Sequence, residues 1–149
     1  MKKNFQPPFL FAFSAIVLCT ISCKKSDDPK TKTELLTQGS WKYSSATAGG
    51  ASADAWVDAC YKDNLITFNA TGETGNVNES STVCSPSTAG NFTWAFKNNE
   101  TEMTVTANLF PGGSGDISIV SLTETTLVVS QDMTIPPYPT TNVTVTLTH

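Results

Sequence analysis

Near its end the chain alternates strictly: Val143, Val145 and Leu147 are separated by Thr144, Thr146 and Thr148. In an extended chain successive side chains point to opposite faces, so this run is a strand with one dry face and one wet face. The same period of two, with threonine at many of the wet positions, recurs back through the sequence. It yields eight strands, at about 40–47, 64–69, 72–79, 90–96, 102–109, 116–122, 126–132 and 142–148.

The connections between these strands alternate in length. Long ones (48–63, 80–89, the Pro111-Gly112-Gly113-Ser114-Gly115 loop, and the proline-rich 132–141) take turns with tight ones at Ala70-Thr71-Gly72, Asn98-Asn99 and around Glu124. In an up-and-down meander, successive connections lie at opposite ends. All the long loops therefore share one end and all the tight turns the other. Closing such a sheet removes its exposed edges, so the expected fold is all-β: an eight-stranded up-and-down antiparallel barrel, with a Greek-key sandwich as the alternative. Ahead of it, Thr31-Lys32-Thr33-Glu34 fits a capping box and Gly39 can end a helix, which predicts a short helix near 32–38 at the tight-turn end. Residues 34–149 are enough for one domain with one core.

The first residues read as an address. Lys2 and Lys3 precede an uncharged apolar run, Phe9 to Ile21, which is shorter than the roughly 20 residues a membrane-spanning helix needs. Thr20-Ile21-Ser22-Cys23 resembles a lipobox, with Thr20 where leucine is usual. The expected organisation is a signal peptide over 1–22, lipid on Cys23, and a charged tether over 23–33 containing Pro29. Ordinary signal cleavage leaving a free Cys23 is the alternative. Each buried acyl methylene contributes about 0.8 kcal/mol, so several chains anchor the protein durably. Asp27 and Asp28, soon after the cysteine, are similar to a surface-export signal of some Gram-negative lipoproteins. The expected location is the cell envelope, at the outer membrane, facing the periplasm or the surface.

From Cys23 onward, seven lysines stand against thirteen Asp and Glu, and the chain has no arginine. Such a surface offers no footprint for a phosphate backbone, which excludes nucleic acid as a partner. With Cys19 in the signal and Cys23 lipidated, Cys60 and Cys84 remain, and two thiols in an oxidising compartment usually pair. They fall in the first and second long loops, at the same end of the expected barrel. The only histidine is His149, and neither cysteine belongs to a Cys-x-x-Cys pair, so no catalytic set, metal centre or cofactor is expected. Gly112-Gly113-Ser114-Gly115 lacks the final glycine position of a nucleophile elbow, where Asp116 stands. Asp54, Asp58 and Asp63 do not have the spacing of a calcium loop and read as solvated acids.

Gly39-Ser40-Trp41 at the start of the first strand matches the Gly-x-Trp signature of lipocalins. Cys60-Tyr61-Lys62-Asp63-Asn64-Leu65-Ile66-Thr67-Phe68 followed by Thr71-Gly72, the second cysteine, the Trp94 strand, and Ile119 with Leu122-Thr123 and Leu127 resemble the bacterial lipocalin-like domain family. The resemblance spans about 34–149 and implies a barrel with Gly39 and Trp41 at its base. Lipocalins commonly lay an arginine from the last strand over that tryptophan. Here His149 or a lysine would take its place, or Trp41 packs without a cation.

Alternation places Phe68 of the second strand and Phe92, Trp94 and Phe96 of the fourth inward, with Met103, Val105, Ala107 and Leu109 along the fifth. Trp56, Tyr61, Phe110 and Tyr138 lie in or beside the long loops. Phe68, Phe92 and Trp94 together with these four are the candidate ligand-binding residues, and clustered loop aromatics more often mark recognition than packing. Two functions follow. In one, the barrel mouth binds a small apolar or amphiphilic ligand, or a glycan. In the other, a filled barrel docks an envelope partner through its loops, with no enzymatic activity in either case. The anchor is testable directly: the Cys23→Ala variant is expected to lose membrane association and detergent partitioning, and a variant that still fractionates with membranes contradicts the lipid anchor.

Overall fold

The computed structural model describes residues 28–113 and 115–149. Cys23 and the signal segment lie outside the described residues, as does Ser114.

Helix α1 (Lys32–Thr37) begins as its capping box predicts: the Thr31 hydroxyl accepts from the Glu34 N–H at 3.2 Å, and a Glu34 oxygen accepts from the Thr31 N–H at 2.7 Å. The strands follow as β1 (Ser40–Ala48), β2 (Ala51–Ser52), β3 (Leu65–Asn69), β4 (Thr74–Asn78), β5 (Gly90–Lys97), β6 (Glu102–Val105), β7 (Ile117–Leu122), β8 (Thr126–Met133) and β9 (Thr141–Thr148), with a one-turn helix α2 (Ala59–Lys62) between β2 and β3. Every pairing is antiparallel, β1 lies beside β3 and each later strand beside the next, and β9 also pairs with β1 from Lys42↔Thr148 to Ala48↔Val143. Eight strands thus close into an up-and-down barrel. The two-residue β2 pairs only with β1 and stands outside the closure.

Several boundaries differ from the alternation in the sequence. The strand expected over 102–109 stops at Val105, because the Thr106 hydroxyl takes the Thr93 N–H at 2.9 Å and ends the regular ladder. Ala107 and Leu109 therefore belong to a loop, half-buried and buried respectively. The strand expected from residue 72 starts at Thr74, since Gly72 and Glu73 turn at φ of 71° and 47°. The first long loop is not featureless, carrying β2, a 3₁₀ turn at Asp54–Trp56, and α2. In β7 the register shifts between Ile119 and Ser121, which leaves Val120 60 % exposed.

The base of the barrel is built around Trp41, which has no exposed surface. Its indole N–H donates to the Leu36 carbonyl at 2.8 Å, fixing α1 across the barrel end. Lys32 donates to the Glu100 carbonyl at 2.6 Å and Lys30 pairs with Glu124 at 2.9 Å, so α1 and its approach lie against the tight turns. The place that the lipocalin resemblance gives to an arginine is filled by His149. Its ring lies over Trp41 with centroids 3.9 Å apart, and its Nδ1 is 3.0 Å from the Ser40 carbonyl oxygen, which can only accept. Gly39 leaves room for that ring, because a Cβ there would sit 3.0 Å from His149 Nδ1.

The interior is packed along its whole length. Phe68 meets Phe92 and Trp94 edge-on at 5.4 and 5.9 Å, and Trp94 meets Phe96 at 5.2 Å. Met103, Leu127, Val129, Val145 and Leu147 complete this core, while Leu109, Phe110, Met133 and Val143 close it toward the long loops. Gly75 sits opposite Phe92 in the β4–β5 ladder, and a Cβ on it would fall 2.1 Å from the Phe92 ring and 2.7 Å from the Thr67 carbonyl oxygen. Gly75→Ala is therefore expected to displace Phe92 and destabilise the fold by about 1–3 kcal/mol, seen as an earlier midpoint in urea or thermal unfolding. A variant as stable as the parent contradicts the seating of Phe92 on Gly75.

A candidate binding cleft at the loop-bearing end

Acidic side chains turned inward organise the long loops. A disulfide joins Cys60 on α2 to Cys84 in the β4–β5 loop, as the count of cysteines anticipates. The 24-residue separation gives a loop-entropy contribution on the order of 3 kcal/mol. Asp63, just after α2, accepts from the Ser81 N–H and hydroxyl and the Thr82 N–H, at 3.2, 2.7 and 2.9 Å. Asp54 does the same for the first loop, accepting from the Tyr43 hydroxyl, the Ala46 N–H and the Ser52 hydroxyl. Both carboxyls are held below the usual carboxylate range, Asp63 first by the Ser81 hydroxyl and Asp54 first by Tyr43. These acids shape loops, and among the described residues no cluster of His, Cys, Asp or Glu is arranged to hold a metal.

Glu79 at the end of β4 is the most engaged of them. Its residue is 5 % exposed, and it accepts from the Ser87 hydroxyl at 2.6 Å, the Thr88 N–H at 2.7 Å, the Thr88 hydroxyl at 2.9 Å and the Cys84 N–H at 3.2 Å. This ring of donors, led by Ser87, lowers its pKa to about 2. One carboxylate thereby fixes the second half of the β4–β5 loop, as Asp63 fixes the first.

The loops so fixed enclose an open cleft of about 440 Å³. Asp58, Cys60 and Tyr61 come from the first long loop, Cys84 to Thr88 from the second, and Ala107, Asn108, Pro111 and Gly112 from the third. The disulfide is part of its wall. No lysine or histidine lines it, and Tyr61 is half-buried. Desolvation raises the Tyr61 pKa, and the Asp58 and Glu79 charges add to the effect, so its phenol stays protonated as a neutral hydrogen-bonding group.

Of the seven aromatic candidates, Tyr61 is the one that lines this cleft. Phe68, Phe92 and Trp94 are spent on the filled core, and Phe110 is buried at 4 % exposure. Trp56 and Tyr138 stack on one another at 4.5 Å, joining the first and last long loops, with Tyr138 45 % exposed. A pocket opening into the barrel through these aromatics is thus replaced by a surface cleft between loops. Glu79, Asn108 and the serines of the second loop do not stand out in the sequence, where short polar residues in a loop look solvated. Their one signal is the density of Ser and Thr beside Cys84, which suits a loop held by side-chain-to-backbone bonds.

The Glu79 carboxylate gives an acid signature. Its folded pKa lies below the ordinary value of 4.5, so its stabilisation is complete above about pH 4.5 and is lost as pH falls toward about 2. Glu79→Gln is expected to lower stability at neutral pH and to reduce the acid-dependent loss between pH 5 and pH 2, measured by urea unfolding across that range. An unchanged pH profile in the variant contradicts the role given to Glu79.

The sequence model of a lipocalin-like domain matches residues 37–129, which take in β1 to the middle of β8 and the three loops that form the cleft. No curated protein matches the chain. With the closed meander, the Gly39-Ser40-Trp41 base and a match over more than half its length, the chain belongs to the lipocalin-like domain family.

Proposed function

We propose that this protein is a lipid-anchored, non-enzymatic binding protein of the cell envelope whose ligand site is the loop-end cleft. The observation that carries the reading is the cleft itself. At about 440 Å³ it exceeds the roughly 300 Å³ at which ligand pockets begin, whereas the barrel interior behind it is filled by Phe68, Phe92, Trp94 and Met103. A ligand therefore sits on the loops, and of the apolar, amphiphilic or glycan guests expected at the barrel mouth the lining of this cleft favours a polar one.

The anchor suits that arrangement. Asp28 is the fifth residue after Cys23, and an extended chain spans at most about 3.6 Å per residue, so the backbone of Cys23 lies within about 18 Å of the first described residue. Lys30 is paired with Glu124 at the tight-turn end. An acyl group on Cys23 would hold that end toward the bilayer and turn the cleft away from it. Val83 at 68 % exposure and Tyr138, on two loops of the same outward end, favour a second reading in which these loops dock an envelope partner.

Native mass spectrometry of the protein purified from its own cells separates the two. The binding reading expects a retained small molecule that is released when the disulfide is reduced and the loops loosen. A protein that carries no small molecule, but co-purifies with one protein at fixed stoichiometry, contradicts it and supports docking.

A further inference from the structure

Resting on the binding reading above, we propose that the cleft takes a small neutral saccharide, with Asp58 accepting its hydroxyl groups. The sign of the charge disfavours an anionic guest. Asp58 stands at the cleft, and Glu79 lies directly behind its wall, bonded to Cys84, Ser87 and Thr88, all of which line it. With no cationic side chain in the lining, a ligand carboxylate or phosphate would meet two negative charges and no counter-charge.

The direction of the hydrogen bonds favours a guest that donates. The Ser87 and Thr88 hydroxyls both donate their protons inward to Glu79 and accept from the Ala89 N–H and the Asn64 side-chain amide, so neither has a proton left for a ligand and each keeps one further lone pair at most. Asp58 is exposed and its backbone carbonyl accepts from the Tyr61 N–H, while its carboxylate makes no cap bond at the start of α2 and no side-chain hydrogen bond among the described residues. The cleft is thus rich in acceptors and calls for a guest with several donors. A single ammonium group would satisfy one point of this set. A sugar ring carries hydroxyl donors around its edge and apolar C–H faces, which match Tyr61, Pro86 and Pro111 in the same lining. Asn108 can donate to a ring or glycosidic oxygen.

Saturation-transfer NMR on the mature protein in lipid nanodiscs tests this with a matched set of probes: neutral hexoses, N-acetylglucosamine and cellobiose, then glucuronate as the anion and cadaverine as the amine. At least one neutral saccharide is expected to bind saturably, with affinity unchanged between low and physiological salt, while glucuronate binds at least about tenfold more weakly than glucose. Asp58→Ala, at an exposed position whose loss leaves thermal unfolding unchanged, is expected to weaken the neutral sugar about tenfold or more, as removal of a charge-assisted hydrogen bond does. Tyr61→Ala is expected to abolish the transfer. If glucuronate binds as well as glucose, or cadaverine alone binds and is displaced by salt, the saccharide assignment is overturned while the cleft remains a binding site. If every probe fails and the native protein carries no small molecule, both readings fall. Sugar binding that survives both substitutions places the site elsewhere and overturns the proposal.

Discussion

Strand β9 is paired along both edges, with β8 over eight residue pairs and with β1 from its base to its mouth. The rest of the structure depends on that double ladder. Without it the meander would be an open sheet with two unpaired edges, and the dry face of Val143, Val145 and Leu147 would have nothing to cover. The ladder also brings His149 to the start of β1, where its ring and the Leu36 carbonyl enclose Trp41 from two sides. One tryptophan thereby ties the helix, the first strand and the residue after the last strand into a single base, the job that a cation performs in the fold's better-known members.

Closing the barrel on this sequence leaves no room inside. Four large aromatic rings on β3 and β5 meet edge-on, and the small residue that admits them, Gly75, is already at its steric limit. Burial of each such side chain contributes about 1.5–3 kcal/mol, so the interior acts as a source of stability and any recognition has to be carried by the loops. Those loops carry few buried apolar side chains of their own. They hold their shape through the disulfide and through three carboxylates, each of which accepts from several loop N–H and hydroxyl groups. The acidity of the chain, which in the sequence looks like solvated surface, is partly internal scaffolding. The cleft that these loops shape has an acidic side chain in its lining and no lysine or histidine.

The strands and their order were legible because a one-sided barrel strand imposes a period of two, and because loop lengths alternate between ends only in a meander. The capping box at Thr31 and Glu34 located α1, and the count of cysteines singled out the bridged pair. What stayed hidden is of a different kind. Alternation continues through Thr106 to Leu109, yet the ladder stops where a threonine hydroxyl takes over a backbone N–H, a competition that periodicity does not register. Inward-facing aromatics were readable as inward, but whether they line a cavity or fill it is a matter of volume, and volume is summed over strands far apart in the chain. Glu79 and Asp63 were invisible as organisers because their partners are backbone amides, which every residue has, and the short hydroxyls of a loop that reads as solvated.

The central claim is that aromatic and aliphatic side chains fill the barrel interior and that a ligand is held by the loop-end cleft. Crystals pressurised with xenon test this most directly, because the gas enters empty apolar cavities and leaves filled cores unoccupied. The account predicts no xenon among Phe68, Phe92, Trp94 and Met103 in the barrel interior. A well-occupied xenon site enclosed by those four residues would contradict it and return the ligand to the inside of the barrel.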